Sequence, residues 1–184
     1  MVCVIVATRS RTFFKNFCDL LGPGYDVVQA FDGKWYQTNS GDTFILQKKH
    51  ASKRKTKEPL IIVYREPVDI GVSVLKRKNT VAIVDAQRPE LLEYVSSTGL
   101  LAITCGLSSR DTITLSSMDS DSVVVNIQRS IISFCAMEVE PQEFPVNYPA
   151  PFDHFSIMAA AGVFLACGQI DRLSRKSFCF DKKL

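Results

Sequence analysis

Short, continuous apolar runs alternate with amphipathic stretches along most of this chain, and glycine or proline separates many of them. Runs of this length that are rich in valine and isoleucine are typical of strands buried on both faces of a parallel sheet. The strands predicted in this way cover residues 2–7, 25–28, 43–46, 60–64, 80–84 and 100–104.

Apolar residues at helical spacing fill the segments between several of these strands. Pro89 opens one such segment, Asp153 is placed to cap another, and Gly168 follows the end of that one. The predicted helices cover residues 12–21, 68–76, 89–97, 155–167 and 169–176.

The alternation of strand and helix ends near Gly106. Beyond it, β-rich runs at 112–115, 122–127 and 131–138 alternate with polar turns, which favours antiparallel strands. Residues 30–42 are read as turn-rich, and a proline-rich connection leads toward the last long helix. We therefore predict one α/β domain over residues 1–184, with three layers, a mostly parallel sheet and an antiparallel extension over 111–140.

Composition agrees with a globular domain, because 46% of the residues are hydrophobic and 22% are charged. The net charge is only +3, and much of the positive charge lies in residues 48–57, which we predict to be an exposed basic loop. The apolar N-terminal run is too short for a signal core or a membrane span, so we expect no membrane span and a cytoplasmic location.

The turn after the first predicted strand has the layout of a phosphate-binding loop. Strand 2–7 leads through a tight turn into helix 12–21, where free backbone N–H groups and the helix dipole converge. Such loops use glycine and lysine, whereas this turn reads Ala7-Thr8-Arg9-Ser10-Arg11-Thr12. The layout predicts a P-loop-like first βα unit with a degenerate phosphate loop.

Four separated stretches resemble, in the same order, the central ATP-binding domain of the Mur ligases, which add amino acids to peptidoglycan precursors. The family's G-T-x-G-K-T/S-T/S corresponds to residues 7–13, and its V-x-N-x-D-D-P to residues 83–89. Its I-T-F/Y-G corresponds to residues 103–106, and its G-x-H-N-x-x-N-x-x-A-A to residues 150–160. The resemblance covers about two thirds of the chain.

The resemblance implies a ligand crevice at the strand ends, and it also shows what this chain lacks. Ala7 and Ser10 replace the glycines of the family loop, and Arg11 replaces the lysine that reaches the phosphates. No acidic strand end like the family's metal-binding segment is recognised between residues 47 and 70, and we expect no C-terminal ligase domain. The ligand-binding residues implied are Ala7, Thr8, Arg9, Ser10, Arg11, Thr12, Asp85, Gln87 and Gly106.

These departures lead us to expect no catalytic residues, no metal site and no cofactor, with productive MgATP binding disfavoured. The expected function is a non-catalytic, Mur ligase-like binding, scaffolding or regulatory protein of bacterial cell-wall metabolism. Its partner would be another protein or a cell-wall precursor, and an exposed sheet edge would permit a homodimer. One alternative is a residual ATP-dependent ligase or ATPase subunit completed by a partner. A second is a nucleic-acid-binding protein acting through residues 48–57.

Structural roles explain most of the other residues that could carry chemistry. The six cysteines form no C-x-x-C pair, which favours buried free thiols, and Cys105 at a strand end is the one we would test for reactivity. Asp153, His154 and Ser156 fall at a helix start, where capping explains them better than a nucleophilic site. Thr12 is also read as a helix cap, and residues 119–121 as a hairpin turn.

Overall fold

The structure is a computed structural model that describes residues 2–22, 25–31, 34–39, 42–46, 59–70, 79–119, 122–147 and 153–174. For residues 26, 31, 34–39, 42–46 and 174 it describes the backbone alone. The prediction of a basic loop over 48–57 and most of the helix predicted over 68–76 lie outside these ranges. Residues 68–70, which are described, are not helical.

The first half of the described chain alternates strands and helices around a sheet. Its strands are β1 (Cys3–Ala7), β2 (Asp26–Phe31), β3 (Lys34–Asn39), β4 (Asp42–Leu46), β5 (Leu60–Tyr64), β6 (Thr80–Asp85) and β7 (Leu101–Cys105). Two helices accompany them, α1 (Arg11–Leu21) and α2 (Pro89–Thr98).

The second half adds five strands and two helices. The strands are β8 (Ile113–Met118), β9 (Ser122–Ile127), β10 (Ile131–Ile132), β11 (Glu138–Val139) and β12 (Gln142–Asn147). The helices are α3 (His154–Ala166) and the short α4 (Asp171–Ser174).

Ten strands form one mixed sheet in the order β12-β9-β8-β7-β6-β5-β1-β2-β3-β4. Its centre, from β8 to β2, is parallel, and antiparallel pairs lie at both ends. The strands β10 and β11 form a separate two-stranded hairpin. The predicted α/β class, the parallel centre and the antiparallel extension are therefore confirmed.

Three assignments from sequence are wrong. Residues 30–42 were predicted as turn-rich, but β2 continues to Phe31 and pairs antiparallel with β3. The proline-rich connection contains β12, which pairs with β9. Pro145 is tolerated there because β12 lies at the sheet edge. The single run predicted over 131–138 is in fact the β10–β11 hairpin.

Helices cover both faces of the sheet, as successive side chains of each strand point to opposite sides. In β1, Val4 and Val6 join the hydrophobic cluster that includes α1 and α3, whereas Ile5 and Ala7 join the cluster that includes α2. Helix α3 is buried from Phe155 to Ala166 and packs on α1, β6, β7 and β8. It is the central helix of the larger core and brings its N-terminus to the end of β1.

Candidate functional site

The strand order places a crevice at the carboxyl ends of β1 and β5. The chain goes from β1 to its neighbour β2 on one side, while β5, on the other side of β1, leads onward to β6 and β7. Ligands of open α/β sheets bind outside the strand ends at such a reversal, because the two connections diverge and leave a gap. The turn after β1 and the residues after β5 and β6 line this gap.

The turn after β1 is held by the chain's own side chains. The Ser10 N–H donates to Thr8 Oγ1 at 3.1 Å, and the Phe13 N–H donates to Ser10 Oγ at 3.1 Å. The Arg9 N–H donates to the carboxylate of Glu66, at 3.2 Å from Oε2. None of residues 7–12 has a positive φ, so the turn does not use the backbone conformation that glycine supplies to phosphate loops. The N–H groups of Arg9, Ser10 and Phe13 thus face internal acceptors.

Backbone bonds fix this turn to the neighbouring strands. The carbonyl of Ala7 accepts the N–H groups of both Arg65 and Glu66, at 3.1 and 3.2 Å. Gln29, from β2, donates its side-chain N–H to the carbonyl of Thr8 at 2.9 Å. The start of the turn is therefore tied to strand ends on both sides of β1.

Arg65 occupies the middle of the crevice. Its guanidinium donates to Asp85 Oδ2 at 2.6 Å and lies 3.7 Å from Asp153 Oδ1. Its central carbon is 5.4 Å from the ring centre of Phe13 and 5.3 Å from that of Phe155. The two rings are nearly parallel, with centres 5.7 Å apart. Arg65 thus joins α1, β6 and α3 through charge and through cation–π contact.

Asp85 anchors Arg65 from the end of β6. Its side chain is only 4% exposed, and the backbone N–H of Gln87 donates to its Oδ1 at 3.2 Å. Arg88 Nε lies 3.7 Å from Asp85 Oδ2, the oxygen that Arg65 also contacts, and the Arg88 side chain is more exposed than that of Arg65. A buried carboxylate needs such partners, because desolvation without them is costly.

These residues surround an open, mostly polar pocket of about 380 Å³. Arg65 and Arg88 bring positive charge to it, while Glu66 and Asp153 bring negative charge. Asp85 lies behind Arg65, and Arg9 Nε lies 3.5 Å from Glu66 Oε2. Three arginines (Arg9, Arg65 and Arg88) therefore lie close to three carboxylates (Glu66, Asp85 and Asp153). The lining residues are Ser10, Thr12, Phe13, Asn16, Arg65, Glu66, Arg88 and Asp153.

The structure brings several of the sequence-predicted residues together and leaves others apart. Ser10 and Thr12 line the pocket, and Ala7, Thr8, Arg9 and Asp85 support its walls. Arg11 is exposed at the first position of α1 and is not among the lining residues.

Two predicted site residues contribute no side chain to the pocket. Gln87 donates its backbone N–H to Asp85 Oδ1. Gly106, one strand further along, has a packing role: a Cβ there would stand 2.9 Å from the Cγ of Asp111 and 3.2 Å from the Cβ of Ala86. Its absence of a side chain lets the buried carboxylate of Asp111 pack against the backbone.

Helix caps are partly as predicted. Asp153 caps α3, since its Oδ1 accepts the Ser156 N–H at 3.1 Å, and its other oxygen accepts the Ser156 hydroxyl. His154 is exposed at the first turn. Thr12 is not the cap of α1, because Ser10 holds that position and Thr12 is the second residue of the helix.

Sequence reasoning missed Arg65, Glu66 and Arg88, which follow directly on β5 and β6. Their position after buried strands was the available signal, since the carboxyl ends of parallel strands share one edge. Glu66 lies in the segment 47–70, where no acidic strand end like that of the Mur ligases is recognised. Because Glu66 does not match that family pattern, the resemblance gave no reason to select it.

Cys105 does not have the properties of a reactive thiol. It is fully buried, and burial, followed by the nearby charges of Asp85 and Asp111, raises its pKa well above the usual range. Because the thiolate is the nucleophile, such a thiol is inert at neutral pH. This corrects the choice of Cys105 as the thiol to test.

Within the described ranges, no group of three or more His, Cys, Asp and Glu side chains could hold a metal ion. Over the same residues, no helix has both the length and the apolar character that crossing a membrane requires. At the β8–β9 connection, Asp119 donates its N–H to the Ser122 carbonyl at 2.8 Å, as in a hairpin turn; residues 120–121 lie outside the described ranges.

A scan against protein-family models and a search of curated proteins both found no match to this chain.

Proposed function

We propose that this protein is a non-catalytic binding module, a degenerate relative of the Mur ligase central domain that no longer uses MgATP. Its pocket would hold a partner protein or a cell-wall precursor rather than a nucleotide triphosphate. The order of the four sequence stretches and the α/β architecture support the proposed kinship. The pocket between β1 and β5 supports the proposed place of binding.

One observation carries this proposal: the Glu66 carboxylate accepts the Arg9 N–H in the turn after β1. In a phosphate loop, backbone N–H groups of this turn face the anion. Here an internal anion takes one of them, and the hydroxyl groups of Thr8 and Ser10 take two more. A triphosphate would have to displace Glu66 and would meet its negative charge.

The charge balance of the pocket supports the same conclusion. Nucleotide sites carry net positive charge or a metal ion to offset the phosphates. Here Arg9, Arg65 and Arg88 already face Glu66, Asp85 and Asp153. The binding energy for an added polyanion is therefore small, whereas a ligand with polar and modestly charged groups meets both donors and acceptors.

Calorimetric titration with MgATP tests the loss of nucleotide binding. We expect no heat of binding at micromolar nucleotide for the unmodified chain. A control variant, Glu66→Gln, keeps the side-chain shape and removes the charge, so that any latent anion affinity becomes detectable. Micromolar MgATP binding by the unmodified chain that is lost in Arg11→Ala would contradict the proposal.

A residual ATPase is the second candidate, favoured by one feature. The N-terminal turn of α1 faces the crevice, and Thr12, whose hydroxyl could meet Mg²⁺, lines the pocket. Phosphate release from ATP that is lost in Thr12→Val and retained in Ser97→Ala, a distant hydroxyl control, would support this candidate over the first. Nucleic-acid binding through residues 48–57 stays a prediction, because that segment lies outside the described residues.

A further inference from the structure

The β10–β11 hairpin presents a cysteine at its tip. The N–H of Ser133 donates to the Met137 carbonyl at 2.9 Å, and the N–H of Ala136 donates to the Ser133 carbonyl at 2.9 Å. Ala136 adopts a φ of 60°, a left-handed conformation uncommon for alanine, which closes the turn tightly. Cys135 lies within this turn and is exposed.

Polar groups of the hairpin surround the Cys135 sulfur. The Ser133 hydroxyl lies 3.1 Å from the sulfur and also donates to the Met137 carbonyl at 3.0 Å. This hydroxyl, and then the backbone N–H of Met137, lower the pKa of Cys135 below the usual value. Burial has the opposite effect on Cys18, whose pKa it raises to about 12. Cys135 is thus the described thiol that combines exposure with a lowered pKa.

A second cysteine lies next to this hairpin, at the end of α3. The N–H of Phe134 donates to the Ala166 carbonyl at 2.8 Å, which joins the two backbones one residue before each cysteine. The sulfur of Cys135 lies 2.6 Å from the point where a Cβ on Gly168 would stand. The Cys135 sulfur thus lies against the residue that directly follows Cys167 in the chain.

Cys167 differs from its neighbour in its environment. Burial raises its pKa to about 11, although a hydrogen bond from Tyr25 and the charge of Arg172 act in the opposite direction. A negative charge on Cys135 adds to this increase in the pKa of Cys167. One thiol of the pair is therefore exposed and ionisable, and the other is protected and adjacent.

From this juxtaposition we propose that Cys135 is an oxidation site for hydrogen peroxide and that Cys167 resolves the oxidised form into an intramolecular disulfide. The Cys135 thiolate attacks one peroxide oxygen, the O–O bond breaks, and hydroxide leaves as Cys135 becomes a sulfenic acid. Cys167 then passes its proton to the sulfenic oxygen and attacks the Cys135 sulfur as a thiolate. The S–O bond breaks, and the oxygen leaves as water with the thiol proton.

The disulfide would connect the hairpin covalently to the end of α3. Disulfides need Cα atoms about 4.4 to 6.8 Å apart, and the Phe134–Ala166 backbone bond holds the two segments side by side one residue before each cysteine. Gly168 is required here for two reasons: its φ is 70°, and any side chain would occupy the space of the Cys135 sulfur. The absence of a side chain at Gly168 therefore leaves room for the Cys135 sulfur beside the end of α3.

Peptide mapping by mass spectrometry of the full chain, treated with stoichiometric hydrogen peroxide and left unreduced, tests the proposal. We expect a crosslinked pair of peptides containing Cys135 and Cys167 that has lost two hydrogen atoms. In Cys167→Ser, the sulfenic acid of Cys135 should persist and be trapped by dimedone. In Cys135→Ser, peroxide consumption should fall by about tenfold or more, because burial raises the pKa of Cys18, Cys105 and Cys167 and keeps them protonated.

Alkylation by iodoacetamide at neutral pH is an independent measurement on the unoxidised protein. Cys135 should react at least about tenfold faster than Cys18 or Cys167. Equal rates would overturn the proposal, as would a disulfide from Cys135 to Cys179 or to a second molecule in place of Cys167. Circular dichroism of both serine variants establishes that they fold, so that a missing crosslink is a chemical result.

Discussion

Arg65 contributes to the site mainly by holding three elements together. Its guanidinium is shared between the buried carboxylate of Asp85 and the faces of Phe13 and Phe155. A planar guanidinium can make both kinds of contact at once, which a lysine ammonium cannot. The residue that most resembles a ligand-binding cation is therefore already engaged within the fold.

Substitution of Arg65 should destabilise the protein, because Asp85 would remain buried without its closest partner. We expect Arg65→Ala to lower the free energy of unfolding by about 2 kcal/mol, below the value for a fully buried pair since Arg65 is partly exposed. Arg88→Ala, which removes a longer and more exposed contact, should cost less than about 1 kcal/mol. Urea unfolding measures both, and equal losses would contradict this account of Arg65.

Gly106 provides a second test at the level of one residue. A Cβ there would approach Asp111 and Ala86 too closely, so Gly106→Ala should cost about 1 to 3 kcal/mol through displacement of the Asp111 loop. Gly162→Ala is the matched control, since its Cβ would meet the flexible end of Ile83 at 3.0 Å and α3 gains helix propensity. Thermal unfolding should separate the two variants; a neutral Gly106→Ala would refute the packing role.

At the level of elements, helix α3 links the core to the pocket. Its small residues allow close approach to the sheet, and its capping residue Asp153 also faces Arg65. Capping and charge can be separated, because asparagine caps a helix about as well as aspartate but is neutral.

We expect Asp153→Ala to cost about 1 kcal/mol through loss of the cap, and Asp153→Asn to cost much less. Ser10→Ala, which removes the cap of α1, should resemble Asp153→Ala. Chemical denaturation of the three variants checks this order. If Asp153→Asn were as damaging as Asp153→Ala, the 3.7 Å contact with Arg65 would matter more than the cap.

The elements were predictable from the sequence where hydrophobic pattern alone determines them. The strands β5 and β6 were predicted from continuous apolar runs that are buried on both faces, and β9 from its alternating pattern. The helix α3 was predicted from its long run of small and apolar residues. The strands β3 and β12 were missed because turn residues and Pro145 conceal them. Both are antiparallel and lie toward the ends of the sheet, where pairing is set by tertiary contacts.

At the scale of the whole molecule, the pocket depends on strand order, which the sequence does not encode locally. Ala7–Thr12 and Asp85 could be proposed from strand ends, but the placement of β5 directly beside β1 decides that Arg65 and Glu66 meet that turn. A sequence shows which residues end strands; it does not show which strands are neighbours. The internal carboxylate that fills the turn was therefore beyond prediction.

The buried thiols give the whole protein a pH dependence with a defined sign. Burial raises the pKa of Cys18 to about 12 from an ordinary value of 9.0. Above pH 9 the unfolded chain releases a proton that the folded protein retains, so the free energy of unfolding falls as pH rises toward the folded pKa. Below pH 9 both states keep the proton and the stability does not change on this account.

We therefore expect the free energy of unfolding to fall by about 1 kcal/mol per pH unit for such a thiol between pH 9 and 11. Urea unfolding at constant ionic strength measures the slope. In Cys18→Ala the free energy of unfolding should fall less steeply with pH, even if the lost packing weakens the fold. Lost packing lowers the free energy of unfolding equally at every pH, whereas ionisation of Cys18 changes how steeply it depends on pH. Cys135→Ala is the control: its thiol already ionises readily when folded, so its removal should not reduce the slope. Identical slopes for Cys18→Ala and the unmodified chain would show that the alkaline loss comes from other groups.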